Sequence, residues 1–326
     1  MSLIEDEIGQ IPSRLKTVAA ANRNALVAAA ARFRAAPPPA LFTIARGSSD
    51  AAATYAAYRL APALGIPVGS FAPSLASLDR VAPKAGGVWT LSISQSGRSP
   101  DLLAAQEAFA NTCGTRLALV NDLASPLAAA ADIVLDQSAG AEQSVAATKS
   151  VSCSLLALDL LAAVLAGRGD DNEAYGVAVA IAVEQALASP HDLAALGAID
   201  SAYVIGRGDS LPVAVEAALK LKEVADLHAE AISAAEVMHG PRALAGKRLG
   251  VLGFAGPGAA GASVVEALRA LAEQGSPATL VAASDQGTAA AIALLAGFYA
   301  ALPGLARRRG RDPDSPPALR KVTMTF

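Results

Sequence analysis

The sequence predicts an α/β protein of two tandem halves, each a parallel sheet flanked by helices in three layers, α/β/α. Two observations carry this. Short apolar runs alternate with turn clusters and helix-length segments, the order that lays parallel strands beneath crossover helices. The pattern then begins again: charged and glycine-containing residues from Gly167 to Tyr175 interrupt it, after which GRGDS at 206–210 echoes ARGSS at 45–49.

In chain order, residues 1–36 read as one amphipathic helix, stopped by Pro37-Pro38-Pro39. The first half, 37–170, opens with a strand LFTIA (41–45) leading into Arg46-Gly47-Ser48-Ser49 and an alanine-rich helix. VWTLSI (88–93) is followed by Ser94-Gln95-Ser96-Gly97-Arg98-Ser99 and a helix with Ser99 as N-cap and Pro100 at its first position. RLALV (116–120) and DIVL (132–135) are further strands, and 144–166 is a long helix. A linking segment, 171–198, carries a helix over about 176–188. The second half, 199–306, has strands AYVIG (202–206), RLGVLGF (248–254) and ATLVAA (278–283) and a helix over about 287–302. Residues 307–326 form a tail, basic at first and then rich in Pro and Asp.

Composition excludes several classes. The 326 residues are 53% hydrophobic and 17% charged with a net charge of −3, so no nucleic-acid footprint is expected. MSLIEDEIGQ places acids where a signal peptide needs basic residues. Asp159 and Glu184 interrupt the best candidate membrane spans, so no membrane partner is expected. Cys113 and Cys153 lack CxxC spacing and read as buried thiols of a cytoplasmic protein. Three scattered histidines make a poor ligand set, so neither metal nor cofactor is expected.

Charge is concentrated between Gly206 and Leu244, which holds His228 and His239, Lys220 and Lys222, and several glutamates. No proline or glycine interrupts the run from Val213 to Glu230, so a helix starting at Pro212 is read through Glu230. Glu216, Lys220 and Glu223 share one face of it, with Leu227 and Glu230 below, on a helix otherwise apolar. That stripe faces either a cleft or interface, or solvent with i, i+4 support. Ser233 and Glu236 match a capping box, opening a short helix that stops at Gly240-Pro241 with His239 in its last turn. There an imidazole serves either as a favourable cap or as a group returning to the same cleft.

The halves differ in the loop after the second strand of each, SQSGRS (94–99) against AGPGAAG (255–261). Hydroxyls at a helix N-terminus suit a phosphate. The alternative, that the serines cap the helix, accounts for Ser99 but not for Ser94, Gln95 and Ser96. Gly256, Gly258 and Gly261 are not read as a dinucleotide site, because they are taken to lack the G-x-G-x-x-G spacing and no acidic residue follows where a ribose would need one.

The motifs SQSGRSPD, GAEQSVAATKS, GRGD with EAALKLKE, HAEAISAAEVMHGP and the terminal LRKVT fall in one familiar order. By them the chain resembles the sugar-isomerase (SIS) family, and within it the isomerase half of glucosamine-6-phosphate synthase. The resemblance covers nearly everything from residue 40 and implies two tandem SIS domains. It implies that Ser48, Ser49, Ser94, Gln95, Ser96 and Ser99 grip a sugar phosphate, with Val145 and Ala147 also against the substrate. Glu223 resembles the base that carries a proton between C1 and C2, and Lys220 the group beside it that stabilises oxygen charge. His239 is similar to the ring-opening histidine, which the family supplies from a neighbouring subunit, so a homodimer is implied. Lys321 resembles the lysine that meets the open-chain carbonyl, in a tail that closes the site.

Two departures matter. Ala147 stands where the family has a serine, and Arg98 replaces the usual acid of SQSGE. Nothing in these residues fills the role of the synthase's glutaminase cysteine. The expected activity is therefore that of a stand-alone glucosamine-6-phosphate deaminase yielding fructose 6-phosphate and ammonia. The alternatives are an isomerase or deaminase of another phosphosugar, or a sugar-phosphate-binding module without turnover.

Overall fold

The chain opens with two helices, α1 (Leu3–Gly9) and α2 (Ile11–Ala35), where the sequence pattern suggests one. Pro12 is the reason: it has no N–H to continue the α1 ladder but suits the first turn of a new helix. There follow β1 (Leu41–Ile44), α3 (Ser48–Leu64), β2 (Val68–Ser70), α4 (Pro73–Ser77), β3 (Val88–Ser94), α5 (Pro100–Ala108), β4 (Cys113–Val120), α6 (Pro126–Ala129), β5 (Ile133–Asp136) and α7 (Lys149–Leu165). Then come α8 (Asn172–Ala188), β6 (Ser201–Gly206), α9 (Leu211–Ala225), β7 (His228–Ser233), β8 (Leu249–Ala255), α10 (Gly258–Glu273), β9 (Ala278–Ala282) and α11 (Ala290–Arg308). The structure is a computed structural model that describes residues 2–84, 86–169, 171–283, 289–317 and 319. Lys321 and the side chain of Cys113 lie outside the described residues.

The chain divides into two compact units. The N-terminal unit holds Ser13–Glu142 and Lys149–Val177, and the C-terminal unit holds the described parts of Met1–Pro12, Gln143–Thr148 and Ala178–Lys321. Each is built on one parallel sheet with helices on both faces, as the strand–helix alternation predicts.

In the N-terminal unit the strand order is β2-β1-β3-β4-β5. The chain leaves β1 for one edge and β3 for the other, so right-handed crossovers put α3 and α5 on opposite faces. Ile44, Phe71, Val88, Leu102, Ala105 and Phe109 form a core cluster, with Phe71 and Phe109 edge to face at 4.9 Å. On the other face α3 packs against α7. Cys153 of α7 is buried, which pushes its thiol far above the ordinary range and leaves it inert.

A polar clamp fixes α3 in this unit. The buried carboxylate of Asp159 on α7 accepts the Tyr55 hydroxyl at 2.9 Å and Arg59 Nε at 2.7 Å, both from α3, and the Tyr175 hydroxyl at 2.9 Å. Single-face apolar packing lets a helix slide along its neighbour, whereas the two directed bonds from α3 set its position and the third ties in α8.

In the C-terminal unit the order is β7-β6-β8-β9. Here β6 leads to one edge and β8 to the other, so α9 and α10 take opposite faces. The α10 face is filled by Val251, Val264, Leu268 and Leu271 together with Tyr203 and Ile232. On the α9 face α11 packs against α9 and α1 against α11. Helix α11 continues through Pro303 to Arg308, beyond the stop expected near 302. It is long and apolar enough to cross a membrane, a property the sequence pattern did not flag, but 78% of its apolar stretch is buried in the protein and Phe298 packs edge to face on Phe254.

The helix read from Pro212 to Glu230 is corrected. It stops at Ala225, Asp226 adopts the left-handed conformation (φ 48°), and His228–Ser233 is the edge strand β7 beside β6. Leu227 and Glu230 therefore are not on the helix. No glycine or proline marks the stop; an aspartate tolerates that conformation, and the carbonyls at the helix end find a partner from far along the chain. Arg309 donates to the carbonyls of Ala225 and Asp226 and to those of Leu196, Gly197 and Ile199. The basic run is thus used internally: Arg307 pairs with Glu5 at 2.8 Å, and Arg311 with Asp226.

Burial pushes Asp159 up to about 6, against the pull of Arg59 and the two tyrosine hydroxyls. The folded protein therefore holds this proton more tightly than the unfolded chain, and the stability from this group is present at low pH and lost as pH rises from about 4 to 6. Asp159→Asn mimics the protonated acid. In urea unfolding at several pH values, wild type should lose stability relative to the variant across that window; a difference that stays level contradicts the assignment.

Candidate active site

In the N-terminal unit, β1 and β3 are neighbours whose crossovers run to opposite edges. Such a switch point leaves a crevice at the carboxyl ends of both strands, onto which two helix N-termini open. Here they are α3, starting at Ser48, and α5, starting at Pro100. Free N–H groups and the positive end of a helix dipole are features that suit an anion. Ser48, Ser49, Gln95, Ser96 and Ser99 are all half-buried around it, and Ser94, ending β3, is buried. Ser94 Oγ accepts the Gly97 N–H at 3.1 Å and Ser96 Oγ accepts the Arg98 N–H at 3.4 Å, which folds the turn on itself. Ser99 occupies the N-cap position, but its side chain makes no capping bond. Capping therefore does not account even for Ser99.

Two ion pairs frame the turn. Arg46 Nε lies 2.9 Å from the buried carboxylate of Asp101, tying the loop after β1 to the first turn of α5. Arg98 lies 2.8 Å from Asp122 and holds its carboxyl below the usual range, so the extra positive charge at Arg98 is shared with an acid. Gly97 has φ 62°, and a Cβ there would lie 2.2 Å from Ser125 Oγ. Only glycine fits.

In the C-terminal unit, α9 assembles a charged cluster inside an apolar surround. Lys220 is fully buried, its Nζ 2.5 Å from Glu223 Oε2 and 3.3 Å from Glu216 Oε1. Burial alone would lower the pKa of Lys220, but the two carboxylates outweigh it and hold the ammonium charged. Tyr299 of α11 donates to the same Glu216 oxygen at 2.9 Å. The side chain of Glu216 is 1% exposed and that of Glu223 is 23% exposed. The stripe is therefore no solvated face, and Glu223 is its one member that reaches the surface.

His239 ends a short 3-10 turn, Glu236–His239, and is exposed. The capping box read at Ser233 is corrected: Ser233 ends β7 and Ala235 holds the N-cap position of the turn, although Ser233 Oγ accepts the Glu236 N–H at 3.1 Å. Among the described residues no hydrogen bond or ion pair joins His239 to the Lys220 cluster. Val145 and Ala147 lie in the bent loop Gln143–Thr148, where exposure alternates: 143 is exposed, 145 and 147 are half-buried, and 144, 146 and 148 are buried. The long helix expected from 144 begins instead at Lys149. Lys321 is outside the described residues.

Two α/β units of the same topology, one with hydroxyls and one with glycines at the switch point, also agree with a known family. The SIS domain family matches residues 36–164 and 197–296, most of the chain and one stretch in each half. The chain belongs to the SIS-domain family. A Silicibacter pomeroyi structure described provisionally as a phosphosugar isomerase superposes with a TM-score of 0.82 at 34% identity, over 96% of this chain and all of that one. The isomerising glutamine–fructose-6-phosphate aminotransferase of Pyrobaculum aerophilum is 40% identical over 163 residues, 47% of this chain and 27% of its own length, so the SIS chain spans well under half of that relative. The Thermotoga maritima glucosamine-6-phosphate deaminase shares the fold, with a TM-score of 0.81 at 21% identity over 99% of this chain and all of that one.

Several residues of the SIS units carry no signal in the sequence. Tyr299 lies 83 positions from Glu216, and nothing local marks it as a partner. Arg46 is visible only as part of a repeated ARG/GRG motif, although both halves place that arginine just past a first strand. One motif also needs correcting: Gly256-Pro257-Gly258-Ala259-Ala260-Gly261 does have G-x-G-x-x-G spacing, between β8 and α10. A Cβ on Gly261 would lie 1.7 Å from the Gly256 carbonyl oxygen, so the third glycine serves close helix–strand packing. About twenty residues on, where a dinucleotide site needs an acid, stands the buried Val281.

Three substitutions test these sites. Gly97→Ala forces a strained φ and a clash with Ser125, so it should cost about 1–3 kcal/mol in chemical denaturation and abolish protection by inorganic phosphate. Lys220→Met leaves two carboxylates with no counter-charge and should cost about 3–5 kcal/mol, against about 1 kcal/mol for Tyr299→Phe. Equal small losses for both would contradict the buried cluster.

Proposed function

We propose that the protein is a glucosamine-6-phosphate deaminase of the isomerising type. The observation that carries this is the Lys220–Glu223 pair, a buried ammonium holding one partly exposed carboxylate in a fixed place. Moving a proton between adjacent carbons takes one base that reaches both and a nearby cation for the oxygen charge that develops. In this reading the Ser94–Ser99 turn, with Ser48 and Ser49, grips the phosphate. His239, contributed within a homodimer, opens the sugar ring, and Lys321 meets the open-chain carbonyl. Glu223 then takes the proton from C2 and returns it at C1, while Lys220 balances charge at the C1 oxygen. The resulting imine at C2 is hydrolysed by water to fructose 6-phosphate and ammonia.

Ala147 supports a second reading. A methyl group where relatives of this motif carry a hydroxyl suits another amino-sugar phosphate or an aldose–ketose pair, processed by the same residues. A panel of hexosamine and hexose phosphates separates the two.

The test is release of ammonia from glucosamine 6-phosphate by the purified chain. Glu223→Gln should lower the rate by about 10²–10⁴-fold while leaving ligand binding in place. No ammonia from this substrate or from galactosamine 6-phosphate would overturn the deaminase reading.

A further inference from the structure

We propose that Glu7 is a positioning residue for the sugar: its carboxylate holds the bent loop Gln143–Thr148 so that the half-buried Val145 and Ala147 are presented in a fixed place. The inference rests on the phosphosugar reading above and assigns a function in it to the N-terminal helix.

The geometry is specific. Glu7 sits on α1 and is 2% exposed. Its Oε1 accepts the Gln143 N–H at 2.5 Å and its Oε2 accepts the Ser144 N–H at 3.2 Å, so one carboxylate takes two successive backbone donors. Charge-assisted bonds of this kind are shorter and stronger than neutral ones, and a buried pair of them fixes direction as well as place. Immediately beyond, exposure alternates, with Ser144, Ala146 and Thr148 buried and Val145 and Ala147 half-buried. The N–H groups of Val145 and Ala147 make no backbone hydrogen bond among the described residues. Backbone donors are strong and are met by water or by a ligand when the protein does not meet them. A sugar carries acceptors on every carbon and suits such a row.

Helix α1 is itself held, so Glu7 has a rigid base. Asp314 accepts the N–H groups of Leu3 and Ile4 at 2.6 and 2.9 Å, at the positive end of the helix dipole. Arg307 makes two bonds of 2.8 Å to Glu5. Ile4 and Ile8 are buried, and α1 packs on α11. A binding group is only as well placed as the elements that support it.

The test compares the full-length wild type with Glu7→Gln and Glu7→Asp, using glucosamine 6-phosphate and inorganic phosphate as probes. Gln keeps one acceptor and turns an N–H donor towards the other backbone N–H. KM and Kd for glucosamine 6-phosphate should rise by about tenfold in Glu7→Gln while kcat falls much less, the signature of lost uniform binding. Affinity for inorganic phosphate should stay within about twofold, and Glu7→Asp should recover part of the sugar affinity. Parallel loss of sugar and phosphate affinity, or no loss of either, overturns the role of Glu7. A wild type that binds inorganic phosphate but no sugar phosphate overturns the phosphosugar reading and this inference with it. Should Glu7→Gln not fold, hydrogen exchange on the wild type decides the same point. The amides of Gln143 and Ser144 should be protected without ligand, and those of Val145 and Ala147 should gain protection with glucosamine 6-phosphate but not with phosphate; no such gain overturns the proposal.

Discussion

A lysine ammonium with no access to water constrains the whole C-terminal unit. Taking one such ion out of water costs several kcal/mol unless partners surround it, and α9 supplies them four residues before and three residues after Lys220. That spacing works only while the chain stays helical through Glu223. The helix ends two residues later, at Ala225, where Asp226 turns left-handed and Arg309 collects the carbonyls left open. The same geometry leaves Glu223 at the rim, paired with Lys220 and partly exposed. Tyr299 completes the arrangement by satisfying the oxygen of Glu216 that Lys220 also uses. Opposite charges at helical spacing, with Tyr299 bonded to the shared oxygen, let an alanine-rich helix carry three charges on one face.

The N-terminal unit depends on topology more than on charge. Reversal of direction between β1 and β3 brings two helix starts to one crevice, and the loops there decide what it holds. The C-terminal unit has the same reversal between β6 and β8, yet fills it with glycines that let α10 close on its strand. One architecture thus carries a serine-lined turn in one copy and a tightly packed glycine turn in the other. Function on this fold lies in the loops at the strand ends, not in the sheets.

Much of this is legible in the residues. The alternation of short apolar runs and helices is a local signal, and it identifies both sheets, the restart between them and the serine-lined turn. The stripe of Glu216, Lys220 and Glu223 is legible because helical spacing is regular, but its burial is not, since a solvated face has the same spacing. Two edge strands escape for a physical reason. β2 has only three residues, and β7 follows α9 without any glycine or proline, so its strand character comes from pairing with β6. Contacts between distant positions are illegible: Tyr299 with Glu216, Arg309 with five carbonyls, and Glu7 with the segment at 143–144. None leaves a trace in local periodicity.

The most direct measurement is an experimentally determined structure of the protein with glucosamine 6-phosphate bound to the Glu223→Gln variant, which should hold the substrate without turning it over. The account predicts the phosphate against Ser94, Ser96 and the first turns of α3 and α5, and C1 and C2 of the sugar within about 3.5 Å of the side chain at position 223. A sugar bound elsewhere, or a side chain at 223 that faces only Lys220 and no ligand carbon, would contradict it.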